Sequence, residues 1–268
     1  MLRWLLLFLC IPLAHALPQH SPVPGGVAVI DLGPDQQAAP SARWDEQPLA
    51  VVQDKGRWYA LLGIPLDTLP GELEIRVFQA STVKMINVPI RPKNYPEQRL
   101  SIRNARQVEP NADDLRRIER EQQVTAAVKK RFSANPPETT LRQPAPGPLS
   151  SRFGLRRVFN GQPRNPHAGL DVAAASGTPV TAPAAGVVAN TGEYFFNGNT
   201  VFVDHGQGLI TAYMHLSRID VRAGQAIQAG ERLGAVGNTG RATGPHLHWA
   251  VILNNTPVDP ELFLEKRR

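Results

Sequence analysis

The sequence predicts a mainly β protein made of two β-rich units joined by a single helix, and three observations carry that prediction. Prolines and glycines are abundant, 25 and 22 in 268 residues, a composition that favours many turns and short strands over helical bundles. In the first third, Leu73, Ile75 and Val77 alternate with Glu72, Glu74 and Arg76, the period-two signature of a half-buried strand. Only residues 109–132 carry helix signals at both ends.

Residues 1–16 read as a signal peptide: Arg3 is the positive start, Trp4 to Leu13 a short apolar run, and Ala14-His15-Ala16 a small-x-small cleavage signal. The run is too short to span a bilayer permanently, so export without stable membrane insertion is expected. The only cysteine, Cys10, lies inside this segment behind Leu9, where a lipoprotein site would want a small residue; the mature chain is expected to hold neither thiol nor disulfide.

Residues 17–108 break into short alternating runs. Strands are predicted at 26–32, 83–90 and 99–102 besides the one through Ile75, and residues 51–59 read as a hairpin turning on Asp54 to Gly56. An immunoglobulin-like β-sandwich is the economical fold. No cluster of titratable groups falls here, so a spacer or docking role is expected, with intramolecular inhibition of the following unit as the functional alternative.

In residues 109–132, Asn111 is a good N-cap with Asp114 three positions on. Asp113 can pair with Arg117, and Lys129, Lys130 and Arg131 suit the C-terminal end. Leu115, Ile118, Gln122, Val128 and Phe132 form a narrow apolar stripe, as in a connector packed on one unit. Residues 133–147, rich in proline, lack periodicity and read as an extended, semi-rigid linker, leaving residues 148–268 as the second unit. Strands are expected there at 186–189, 200–205 and 209–215, the last two joined by the turn His205-Gly206-Gln207-Gly208.

Five of the seven histidines fall between His167 and His248. His246 and His248 open a strand-like apolar run, where alternate side chains share a face about 6.5–7 Å apart. His167 and Asp171 supply an imidazole and a carboxylate four positions apart, and Tyr213-Met214-His215 another imidazole. A zinc-type metal takes nitrogen and carboxylate oxygen, and a catalytic site keeps one position open. His167, Asp171 and His248 would make such a set, with His215 and His246 left for proton transfer. Tyr213, two positions before His215, would face the same way and could donate to a reacting carbonyl. His205, at its turn, reads as a structural hydrogen-bonding residue.

Together, His-x3-Asp, Tyr-x-His and Gly-Pro-His-Leu-His resemble the pattern of the lysostaphin/LytM-type zinc metallopeptidases, bacterial enzymes that cut peptide bonds in peptidoglycan; the similarity runs from Leu149 to Leu264. The resemblance implies one zinc held by His167, Asp171 and His248, and a catalytic pair of His215 and His246. None of these five positions is degenerate, whereas relatives that have lost ligands only activate other wall enzymes. It also implies peptidoglycan as partner; the leader, the lack of a wall-anchoring repeat and the N-terminal β unit fit a periplasmic enzyme acting on D-alanyl cross-links, with glycine bridges or general proteolysis as alternative substrates and secretion as the alternative compartment. Two other classes stay open: a non-catalytic activator of amidases, and a wall-binding module with a structural metal. A formal charge of +6 fits an anionic wall polymer or plain solubility, and no motif resembles a nucleic-acid binder. The text from Val221 to Gly237 is similar to biotinyl and lipoyl carrier domains, but its turn Ala226-Ile227-Gln228-Ala229 lacks the lysine a carrier needs.

Overall fold

A computed structural model describes residues 17–35 and 38–265; the leader assigned to residues 1–16, with Cys10, lies outside them. The first strands are β1 (Val27–Pro34), β2 (Ser41–Trp44), β3 (Gln47–Asp54), β4 (Arg57–Gly63), β5 (Gly71–Gln79) and β6 (Thr82–Ile90). They form one antiparallel six-stranded sheet in the order β1-β4-β3-β2-β5-β6. The mainly β expectation holds. An immunoglobulin-like sandwich would keep two sheets apart, but here β2 pairs with both β3 and β5, so the sheet is continuous. It curls on itself, because Ala28 and Ile30 at one edge share a core with Val88 and Ile90 at the other. On β5, Ile75 and Val77 are buried while Glu72 and Glu74 are exposed, as the alternation predicts. The β3–β4 hairpin turns on Lys55 (φ 46°) and Gly56 (φ 74°), the two positive φ values that match the strand twist.

The chain then adds β7 (Glu97–Leu100) and α1 (Ala112–Lys129), shorter than the expected 109–132. Asn111 and Asp114 form a capping box, satisfying two N-terminal donors reciprocally. Asp113 pairs with Arg116 rather than Arg117, since Arg117 turns to Glu121 and to the Glu193 carbonyl, 3.2 Å away. The apolar stripe is narrower than expected: Ile118 and Val128 are buried, but Leu115 and Phe132 are 54% and 41% exposed. Val128 packs on Phe202, Ile210 and Ile252, and Glu121 accepts from the Phe195 amide at 2.8 Å, so α1 lies on the second unit.

That unit contains β8 (Leu149–Ser151), β9 (Arg156–Phe159), β10 (Gln162–Pro163), β11 (Leu170–Ala173), β12 (Pro179–Thr181), β13 (Gly186–Tyr194) and β14 (Gly198–Gly206). After these come β15 (Leu209–Leu216), β16 (Arg218–Ile219), β17 (Ala226–Ile227), β18 (Arg232–Ala235), β19 (His246–Leu253) and β20 (Thr256–Val258). The main sheet runs β17-β13-β14-β15-β19-β11-β8, with β20 beside β19, and β12-β18-β16 form a small second sheet. β7 pairs in parallel with β9, tying the first unit to the rim of the second.

The two units share a core. On β4, Ala60 and Leu62 face the curled sheet's own interior. Leu61 faces the other way and joins Leu209, Val251, Leu253 and Val258, so a strand buried on both faces reads as an unbroken apolar run. A side chain at Gly63 would meet the Leu253 carbonyl at 2.7 Å, and Asn254 donates to the Pro48 carbonyl at 3.1 Å. The proline-rich segment is irregular, as expected, but it is not a free linker. Leu141 is fully buried in this core, with Ala145 nearly so, and the Leu141 amide donates to the Phe263 carbonyl at 2.7 Å. Among the described residues, no helix is long and apolar enough to cross a membrane.

Candidate active site

The site forms where β15, β19 and β11 lie side by side. Along β19, Leu247 and Trp249 point into the shared core, so alternation puts His246 and His248 on the opposite face, as the spacing predicts. Asp171 of β11 is paired with His248 across the ladder, and residues so opposed bring their side chains together. His167 enters from the preceding loop, which is tied to Leu155 by the His167 amide at 2.9 Å. Gly169 clears the space: a side chain there would meet His248 Nε2 at 2.5 Å.

His215 arrives by a different device. Strand alternation would turn it to the core with Tyr213, away from His248. The β14–β15 ladder, however, slips by one residue between Tyr213 and Leu216, and His215 takes a left-handed φ of 63°. This bulge turns its imidazole into the cleft, where its ring lies 4.8 Å from that of His246 and 6.0 Å from that of His248. Bulges and αL residues recur where a side chain must be re-aimed at a site. Tyr213 stays behind, fully buried against the core and 2.7 Å from Thr211 Oγ1. The expectation that it could donate to a substrate carbonyl is therefore corrected. His205 has the structural role its turn suggested, donating Nδ1–H to the Ala185 carbonyl at 2.7 Å and facing Thr211 Oγ1.

Three donor atoms converge. His167 Nε2 lies 3.0 Å from Asp171 Oδ1 and 2.9 Å from His248 Nδ1, which lies 2.8 Å from the same Oδ1. They form the one cluster of metal-ligand type found among the described residues. The donor set fits a zinc-type cation: two imidazoles and a carboxylate, buried and held from behind. His167 donates Nδ1–H to the Arg152 carbonyl at 2.8 Å, leaving the Nε2 lone pair to face the cluster. Asp171 accepts on Oδ2 from Arg157 Nη2 at 3.2 Å, leaving Oδ1 for the cluster. Such outer contacts fix ligand orientation.

Electrostatics agree with this division. Burial alone would raise the Asp171 pKa, but hydrogen bonds and charge from His167 and His248 hold it well below the carboxylate range, so it is ionised. Burial lowers the pKa of His248, favouring the neutral imidazole a metal requires. Burial, reinforced by His248 and His246, pushes His215 down to about 3. His215 donates Nδ1–H to the Thr239 carbonyl and His246 to that of Gly244, each at 2.8 Å. Both rings thus keep Nε2 free. His246 Nε2 reaches within 3.9 Å of Asp171 Oδ1.

All five residues named from sequence meet in one cleft. Arg157 and Arg241 in its walls carried no such assignment; the available signal was a basic residue in the turn text just before Thr243-Gly244-Pro245-His246.

A β-sheet cleft holding a His/Asp/His cluster beside two free imidazoles has the makings of a metal-dependent hydrolase. The sequence profile described as Peptidase family M23 matches residues 165–260, and that of the M23 N-terminal domain residues 20–93. A solved structure from Pseudomonas aeruginosa, described as a peptidase M23, is 46% identical over 91% of this chain and 95% of that one, with a TM-score of 0.78. The chain belongs to peptidase family M23. It is similar over 112 residues to the peptidoglycan DD-endopeptidase ShyA of Vibrio cholerae, with 45% identity over 41% of this chain. The DD-carboxypeptidase/endopeptidase Mpg of Neisseria meningitidis is 43% identical over 42%. These matches span 26% of the length of either relative.

Proposed function

We propose that this protein is an exported zinc metallo-endopeptidase that hydrolyses the peptide cross-links of bacterial peptidoglycan, D-alanyl cross-links foremost. The observation that carries the reading is the convergence of three donor atoms within 3.0 Å of one another beside two imidazoles with free Nε2 atoms. Export rests on the signal read in residues 1–16, with the periplasm as the compartment. The relatives' endopeptidase names support the substrate. A complete five-residue set favours catalysis over an amidase activator or a wall-binding module.

His167, Asp171 and His248 would hold one zinc ion, which supplies Lewis acidity towards an amide carbonyl and a water. The chain's own groups do the rest. His215 and His246, each orienting Nε2 through a backbone carbonyl, take a proton from the attacking water and return one to the leaving amine. Burial keeps His215 neutral, while Arg157 holds Asp171 in place.

The first unit is proposed to restrain the cleft from one side. Gln98 and Leu100 of β7 line the cavity beside His246 and Asp171, and Ser151 donates to Gln98 at 3.3 Å. Removing residues 17–132 would strip Val27, Ala50, Val52 and Leu61 from the shared core. Leu100→Ala is the cleaner test, with higher turnover expected on a large substrate; unchanged turnover would remove this part of the reading.

The test of the function is mass spectrometry of purified sacculi incubated with the mature protein, with and without a zinc chelator. Cross-linked fragments should fall to monomers only without chelator, and the products identify the bond. Sacculi unchanged in both arms would contradict the reading.

A further inference from the structure

The walls of the cleft carry positive charge that the histidine chemistry does not use. One cavity, of about 320 Å³, opens before His215 and His248; a second, of about 340 Å³, opens before His246 and Asp171. Arg157 and Arg241 line both. Arg157 is committed to Asp171. The Arg241 guanidinium lies 4.2 Å from the Phe196 ring centre and 4.9 Å from that of Phe159, and Nη1 donates to the Gln107 carbonyl at 3.3 Å. Cation–π contacts consume no N–H groups, so Arg241 keeps further donors. Lys129 also lines the cavity before His215, and Arg164, outside both linings but close enough to repel Arg241, is bonded to the Pro163 and Val108 carbonyls and to the Gln162 amide oxygen.

Among the described residues, no carboxylate forms an ion pair with Arg241 or Arg164, and the cavity before His215 has no Asp or Glu in its lining. Burial, with repulsion from Arg157 and Arg164, draws the Arg241 pKa down to about 10, still charged at neutral pH. A half-buried guanidinium that has no anion of its own and is repelled by Arg157 and Arg164 is unfavourable for folding alone. It suits a site whose anion comes with the substrate, because a guanidinium fork matches a carboxylate.

We propose that Arg241, with Arg164 behind it, binds a free carboxylate on the substrate residue that adjoins the scissile amide, and so selects acidic peptides. This rests on the peptidase reading above. The test uses two peptides that differ only at that position, one bearing the carboxylate and the other its carboxamide. Their affinities are measured on the zinc-loaded His246→Ala protein, which retains the cleft, and their kcat/KM on the wild type. The carboxylate peptide should bind about 10- to 100-fold tighter, as a charge-assisted hydrogen bond does. Arg241→Met should erase the difference while leaving carboxamide binding in place. Equal affinity for the two peptides would overturn the proposal, as would an Arg241→Met loss of the same factor on both, which marks a purely structural arginine. Should Arg241→Met not fold, the wild-type ratio and Arg164→Met, expected to reduce that ratio, decide it. Cleavage of neither peptide would remove the peptidase reading, and the binding ratio would still decide the carboxylate site.

Discussion

The two units are both antiparallel sheets, yet they bury different chemistry. Every buried polar or charged side chain among the described residues lies at or beyond Asp114. The curled first sheet is closed by Ile75, Val77, Leu62 and similar residues alone. The second sheet buries His167, Asp171, His205 and His215 and must give each one a partner, since an unpaired buried polar group costs about 1–3 kcal/mol. One sheet is organised by area removed from water; the other spends part of its interior on positioned, titratable groups.

Four sets of measurements probe that contrast. The largest effect is expected in the cleft: His215→Ala or His246→Ala should lower kcat by about 10²- to 10⁴-fold while the fold and metal persist, as steady-state kinetics and elemental analysis would show. Next, Ile75→Ala in the first sheet should cost about 2–5 kcal/mol of stability through the cavity it leaves. Its kcat/KM on a soluble peptide should stay at the wild-type value, and denaturant melts with parallel assays read both. Arg157→Met should weaken zinc affinity by about 10- to 100-fold, the usual effect of losing an outer partner of a ligand; chelator competition measures it.

The smallest effect is expected from acid. Burial lowers the pKa of His205, so its neutral form is favoured in the folded state. Above the unfolded value of about 6.5 that contribution is fully present. As pH falls below it, the unfolded chain takes up a proton that the folded chain refuses, and stability drops by up to about 1.4 kcal/mol per pH unit per proton, until the folded pKa is reached. His205→Gln should show a shallower loss of stability between pH 6.5 and 5 than the wild type; equal slopes would mean that His205 is not held neutral.

What could be read in the sequence was local or periodic. The His-x-His alternation, the His167–Asp171 spacing, the Ile75 strand, the Asn111 cap and the Gln207-Gly208 turn each depend on a few neighbouring residues. What could not be read depends on distant partners. Alternation placed Tyr213 and His215 on one face, and only the slipped pairing with β14 separates them. The proline-rich segment was legible as irregular, but not as buried, because Leu141 is anchored by Phe263 far along the chain. Arg117 had a plausible partner in Asp113 and another, Glu121, that geometry preferred. Resemblance supplied roles for the histidines, whereas Arg241 takes its place in the cleft from the two cavities it lines.

In the proposed division of labour, His167, Asp171 and His248 hold a metal while His215 and His246 move protons. Zinc content measured on purified wild type, His215→Ala, His246→Ala and His248→Ala tests it most directly. The division predicts one zinc per chain in the first three and a large loss in His248→Ala. Zinc lost from His246→Ala and kept in His248→Ala would contradict it and exchange the roles of the two histidines on β19.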